Sequence, residues 1–270
     1  MANQALETQL IFQTAIGNQK PHTMRGISDS ACPFCDRNLL PPIIKEDGDI
    51  LLIPNKYPIL RGSSPLVLIE TKDCDSELSL YPEDRLLRVF RMALDTWEEM
   101  MADPQYASVL FLKNHGPFSG GSLRHPHMQI IGLADVDYRL NVREENFLGP
   151  VIYRDDAVEL NISARPLVGF TEFNGILRDK KGLRDFCLLI QQAVRFVLRY
   201  LQGGRFNSYN LFFYRLAGVS YCKIVPRGVT TPLFIGYSIP QVGDNLPALV
   251  KDFQTRFFSD QSQIKIRGDL

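Results

Sequence analysis

The chain has 270 residues, 45% of them hydrophobic and 22% charged, which excludes a disordered chain and, at roughly 100–200 residues per domain, leaves one large domain or two modest ones. Lys and Arg number 30 against 30 Asp and Glu, so neither a duplex nucleic-acid surface nor a polybasic membrane face is expected. No apolar run reaches about 18 residues, and the first nine residues lack the charged-then-apolar layout of a secretion signal, so a cytoplasmic protein is expected. Five cysteines, an odd number in a chain read this way, argue for reduced thiols, some of them on metal, over a disulfide framework.

In chain order, β-rich runs are expected at 50–54 and 66–70, separated by a Pro/Gly/Ser-rich turn. A helix follows over 82–102, where Leu86, Val89, Phe90, Leu94, Trp97 and Met101 recur at helical spacing. Pro82 suits its first turn, Glu83 and Asp84 its positive end, and Asp103-Pro104 stops it. Strands are read at 108–113, 128–133, 151–152 and 158–164. A second helix covers 182–202, ended by Gly203-Gly204, and strands at 210–215 and 219–225 close the pattern. One strand-strand-helix-strand-strand unit is thus used twice, about 100 residues apart. The expected class is α+β, with one half over 1–150, a second over 151–270, and one long helix in each.

Three of the four histidines, His115, His125 and His127, fall within 13 positions. Between them runs a loop containing Gly116, Gly120, Gly121 and Ser122, free to wrap its amides around phosphate oxygens. In a strand His125 and His127 share a face, since side chains alternate, and Gln129 continues along it. A phosphate cradle beside an imidazole is a layout for phosphoryl transfer. Cys32-Pro33-Phe34-Cys35 has the spacing of a zinc knuckle, which needs two further ligands. Cys74, His125, His115, His22, Cys187 and Cys222 are the candidates; a redox dithiol is the lesser alternative.

These motifs, together with Ile53-Pro54-Asn55-Lys56-Tyr57-Pro58, resemble the galactose-1-phosphate uridylyltransferase branch of the histidine-triad superfamily. The resemblance spans most of the first half; the second half shares layout and fragments such as Phe234-Ile235-Gly236-Tyr237. It implies two fused histidine-triad-like halves with mainly antiparallel sheet, the second half completing the substrate pocket. It implies that His127 attacks the α-phosphate of a nucleotide sugar to form a nucleotidyl-histidine, which a phosphate acceptor then discharges, and that Gln129 hydrogen-bonds the phosphoryl oxygens. Zn²⁺ would be held by Cys32, Cys35, His125 and a fourth residue, for which the alignment offers Cys74, with His115 the alternative. Asn55 resembles a ribose contact, Asn114 and Ser122 phosphate contacts, and Lys20 stands where the family carries an arginine. Arg124 is a further candidate phosphate contact. A homodimer is also suggested by the family.

The departures concern the sugar. The family's second metal site uses histidines, whereas the matching positions here are Tyr221 and Lys223, and its hexose-binding lysine and glutamate are Pro232 and Ser238. The expected function is therefore nucleotidyl transfer between a nucleotide sugar and a phosphate acceptor, with galactose specificity not implied. The rivals are a phosphorylase or hydrolase of nucleotide sugars or dinucleoside polyphosphates with the same nucleophile, and a non-catalytic zinc-containing nucleotide-binding protein.

Overall fold

The computed structural model describes residues 9–24 and 32–258. Nearly all of the N-terminal segment read for a secretion signal lies outside them. The chain divides into two compact units between Val142 and Arg143.

The first unit holds α1 (Thr14–Gly17), β1 (Lys45–Asp47), β2 (Ile50–Pro54), β3 (Ser63–Ile69), α2 (Glu83–Met101), β4 (Ser108–His115) and β5 (His127–Leu133). Its strands run antiparallel in the order β1-β2-β3-β5-β4. The α2 helix starts where expected, with Pro82 as its N-cap and Glu83 and Asp84 in the first turn. Its apolar stripe of Leu86, Val89, Phe90, Ala93, Leu94 and Trp97 is buried, and it packs on β4 and β5. Fully burying each of the larger side chains stabilises the unit by about 1.5–3 kcal/mol. The Trp97 indole N–H donates to the Val109 carbonyl at 2.9 Å, satisfying the one polar atom of that ring.

The second unit holds β6 (Val151–Arg154), β7 (Val158–Ile162), β8 (Phe173–Leu177), α3 (Leu183–Arg199), β9 (Tyr209–Leu216), β10 (Val219–Pro226), α4 (Pro232–Tyr237) and α5 (Leu246–Phe257). Its strands are ordered β6-β7-β8-β10-β9, each neighbouring pair antiparallel. Three strands, a long helix and two strands therefore occur twice with one topology. The repeat has one strand more than the sequence reading allowed in each half. β1 escapes that reading because Lys45-Glu46-Asp47 is fully polar and is a strand only through its pairing with β2. β8 escapes it because Asn174 and Gly175 interrupt the apolar pattern. A Cβ on Gly175 would sit 3.3 Å from both Phe186 and Ile190, so the glycine lets α3 lie close to the strand. Among the described residues, no helix is long and apolar enough to cross a membrane.

Candidate active site and metal centre

Alternation in β5 places His127 and Gln129 on the sheet face opposite α2, where they line a cavity of about 360 Å³. Phe34, Leu40, Ile53, Val67 and Leu112 form its apolar wall, and Lys20, Asn55, Asn114 and Ser122 add polar groups. Two lysines, Lys20 and Lys56, and no carboxylate occur among the described lining residues, so the cavity favours an anionic guest. Gly120 adopts φ +82°, a conformation strained for other residues. The glycine loop is tied to the N-terminal segment, since Thr23 and Met24 amides both donate to the Ser122 carbonyl. Asn55 accepts from the Tyr57 amide at 2.9 Å through its side-chain oxygen.

The His127 ring is 7% exposed and donates Nδ1–H to the His125 carbonyl at 2.8 Å. That bond leaves Nε2 as the ring's lone-pair nitrogen. Burial pushes the imidazole down to about 4, against the opposing pull of the carbonyl it donates to, and the positive charges of Lys113, His125 and Lys20 reinforce the drop. His115 is likewise lowered to about 4, by burial and then by Lys113 and Arg124. Between about pH 6.5 and 4 the unfolded chain takes up protons at these two rings that the folded chain refuses. Their stabilising contribution is therefore full above about pH 6.5 and is lost as pH falls toward 4. The melting temperature is expected to fall between pH 7 and pH 5, less steeply in His115→Asn. Rapid-quench measurement of any reaction at His127 should give an acid limb below about pH 5; a limb near the ordinary histidine value would contradict the burial argument.

Beside the cavity, Cys32, Cys35, Cys74 and His125 bring four ligand atoms within 4.8 Å of one another. His125 Nδ1 lies 3.6 Å from Cys32 Sγ and 3.5 Å from Cys35 Sγ. Tetrahedral zinc with Zn–S of about 2.3 Å and Zn–N of about 2.0–2.1 Å separates its N and S ligands by about 3.6 Å, so the donor set fits that ion. The other ring nitrogen donates to the Thr71 carbonyl at 2.7 Å, which fixes the tautomer that presents Nδ1 to a metal. Burial raises the Cys32 thiol, but its hydrogen bonds with His125 and the Phe34 amide bring it down to about 7. Burial and the neighbouring thiols push Cys74 up to about 12; burial and Cys32 raise Cys35, against a lowering hydrogen bond with Cys74. A divalent cation held among them would stabilise all three thiolates. Phe34 connects the two sites, packing edge-on against His125 and His127 with ring centroids 5.8 and 5.5 Å away.

Of the residues singled out in the sequence, the structure brings Lys20, Asn55, Asn114, Ser122, His127 and Gln129 to one cavity and Cys32, Cys35, Cys74 and His125 to one cluster. Arg124 does not join the cavity lining; its exposed guanidinium pairs with Asp75 at 2.8 Å. His115 belongs to neither group, so Cys74 completes the cluster. Lys223 is fully buried against Glu172 at 2.9 Å, and burial lowers its pKa. Sequence reading missed Thr71, the anchor of the His125 ring, and the charged pair Lys113 and Glu70 behind β5. Their signal was a break in alternation: Lys113 continues the buried series of Val109 and Phe111, and Glu70 that of Leu68.

The models of the "Domain of unknown function (DUF4931)" N-terminal and C-terminal domains match residues 12–136 and 139–258. The chain belongs to the DUF4931 family. A crystal structure of a DUF4931 family protein from Bacillus cereus is 41% identical, with a TM-score of 0.74, covering 81% of this chain and all of that one. A uridylyltransferase structure (18% identity, TM-score 0.65, 89% of this chain and 95% of that one) shares the fold. So does an ADP-glucose phosphorylase from Arabidopsis thaliana (16%, 0.64, 88% and 92%). No curated protein matches. The DUF4931 chain thus has the α+β, two-half histidine-triad-like fold, with mainly antiparallel sheet and one long helix per half.

Proposed function

We propose that the protein is a nucleotidyltransferase that moves a nucleoside monophosphate from a nucleotide sugar to a phosphate acceptor through His127. The observation that carries this reading is the Nδ1–H bond from His127 to the His125 carbonyl, which leaves an unprotonated Nε2 on a ring lining a cavity with no carboxylate among its described lining residues. In the first step Nε2 forms a bond to the α-phosphorus while the bond from phosphorus to the bridging oxygen breaks, releasing a sugar phosphate. In the second, an acceptor phosphate oxygen attacks phosphorus, the N–P bond breaks and the neutral imidazole returns. Gln129 holds the phosphoryl oxygens through its amide, with Asn114 and Ser122 donating hydrogen bonds to them, Lys20 neutralising charge and Asn55 at the ribose. Phosphate leaving groups need little protonation, which suits an amide at position 129 where an acid would favour poorer leaving groups.

Cys32, Cys35, Cys74 and His125 would hold Zn²⁺ as a closed structural site, its chemistry being to fix the loop that presents His127. The names of the uridylyltransferase and ADP-glucose phosphorylase neighbours fall within this chemistry. A phosphorylase reading uses the same nucleophile with inorganic phosphate as acceptor, and Gln129 favours it over hydrolysis. Intact-mass measurement after incubation with UDP-glucose and ADP-glucose tests the proposal. One nucleoside monophosphate added on one histidine, discharged on addition of phosphate or hexose 1-phosphate, is expected. Turnover without any adduct, or undiminished in His127→Ala, would overturn it.

A further inference from the structure

Behind the candidate nucleophile lies a charge network for which the proposed reaction has no use. Lys113 and Glu70 are 1% and 0% exposed and paired at 2.5 Å. Both stand on the face of the sheet that carries Met128 and α2, since Lys113 is opposite Met128 in the β4–β5 register and Glu70 follows Ile69, the partner of His127. β5 runs between β3 and β4. The pair therefore reaches beneath β5 from one flanking strand to the other, at the end of β5 where His127 begins.

Further bonds tie these two residues to that backbone and to their neighbours. Lys113 Nζ also donates to the His127 carbonyl at 3.5 Å, and the Glu70 amide donates to the Pro126 carbonyl at 3.1 Å. The second Glu70 oxygen accepts from the Tyr81 hydroxyl at 2.8 Å, and the Glu70 carbonyl accepts from Arg85 at 3.1 Å. Two well-packed apolar side chains fill such a space with equal or greater stability. What the ion pair adds is direction, because the Lys113 ammonium must point its N–H groups at their acceptors, one of which is the His127 carbonyl.

The geometry points to Lys113 and Glu70 as positioning residues for His127: an ion pair clamped across the far face of the sheet that holds the segment carrying the nucleophile. This rests on the transfer reading above. Displacing a reacting group by about 1 Å can cost 10²-fold in rate, and the His127 ring is aimed by a single bond to the carbonyl two residues earlier.

The test uses the full chain with three variants: Lys113→Met, Lys113→Arg, and the neutral pair Lys113→Met/Glu70→Gln, which leaves no uncompensated buried charge if the first fails to fold. The neutral pair is expected to bind UMP and AMP within about 2-fold of wild type while forming the histidine adduct from UDP-glucose or ADP-glucose at least about 10-fold more slowly, at unchanged KM. Lys113→Arg should recover part of that rate. Independently of turnover, nitrogen NMR of the His127 ring should show a single Nδ1–H tautomer in wild type and averaging between tautomers in the neutral pair. A wild-type adduct rate with the tautomer intact would overturn the clamp. If wild type itself forms no adduct, the transfer reading fails, and the ring-nitrogen shifts alone decide whether the pair positions His127.

Discussion

His127→Ala is expected to lose nucleotidyl transfer by at least about 10³-fold, with nucleotide affinity retained and no covalent adduct. The size follows from what the ring supplies. A nucleophile held at the phosphorus replaces a bimolecular attack between two anions with a step of high effective concentration. The other residues of the cavity do not take its place in the proposed reaction: Gln129 is not nucleophilic, and Lys20 is assigned to the phosphate oxygens and not to phosphorus. Affinity for UMP or AMP should persist because the cavity wall from Phe34 to Leu112 and the glycine loop are untouched. The measurement is single-turnover release of glucose 1-phosphate, paired with intact mass and a binding titration. Release at the wild-type rate would show that the chemistry lies elsewhere.

The second large effect concerns the Cys32, Cys35, Cys74 and His125 cluster. The purified protein is expected to carry one zinc per chain, and Cys74→Ser to weaken binding by about 10²-fold. Structural zinc sites provide an apparent 10–16 kcal/mol over four ligands, so one ligand corresponds to roughly 3 kcal/mol. With chelator present the linkage appears as lost stability, about 1.4 kcal/mol per tenfold loss of affinity. For a chain of this size that is a fall in melting temperature of roughly 5 °C. Adduct formation should slow as well, because His125 is both a cluster member and the residue whose carbonyl aims His127. Elemental analysis and calorimetry with and without a chelator check this. Stoichiometric zinc in Cys74→Ser with unchanged melting would remove Cys74 from the ligand set.

Much of this site was legible in the residues because its parts are local. The knuckle Cys32 and Cys35, the glycine loop and the run from His125 to Gln129 each carry their geometry in a few adjacent positions. Strand alternation alone placed His127 and Gln129 on one face. The two long helices were equally readable, because a buried stripe such as Leu86 to Trp97 repeats at helical spacing. β1 and β8 were not readable. One is polar and exists through its neighbour, and the other carries a glycine whose reason is a helix that begins eight residues further on.

The chain's own order of residues determined the repeated α+β layout, the loop that can cradle phosphate and the pair of histidines two positions apart, all consequences of short-range periodicity and backbone freedom. Tertiary structure decided which distant residues meet them. It brought Cys74, and not His115, to the Cys32, Cys35 and His125 group, drew Arg124 away to Asp75, and set Lys113 against Glu70 beneath β5. Those outcomes depend on strand order and register, which bring together residues about 40 to 50 positions apart, and no local pattern encodes that pairing.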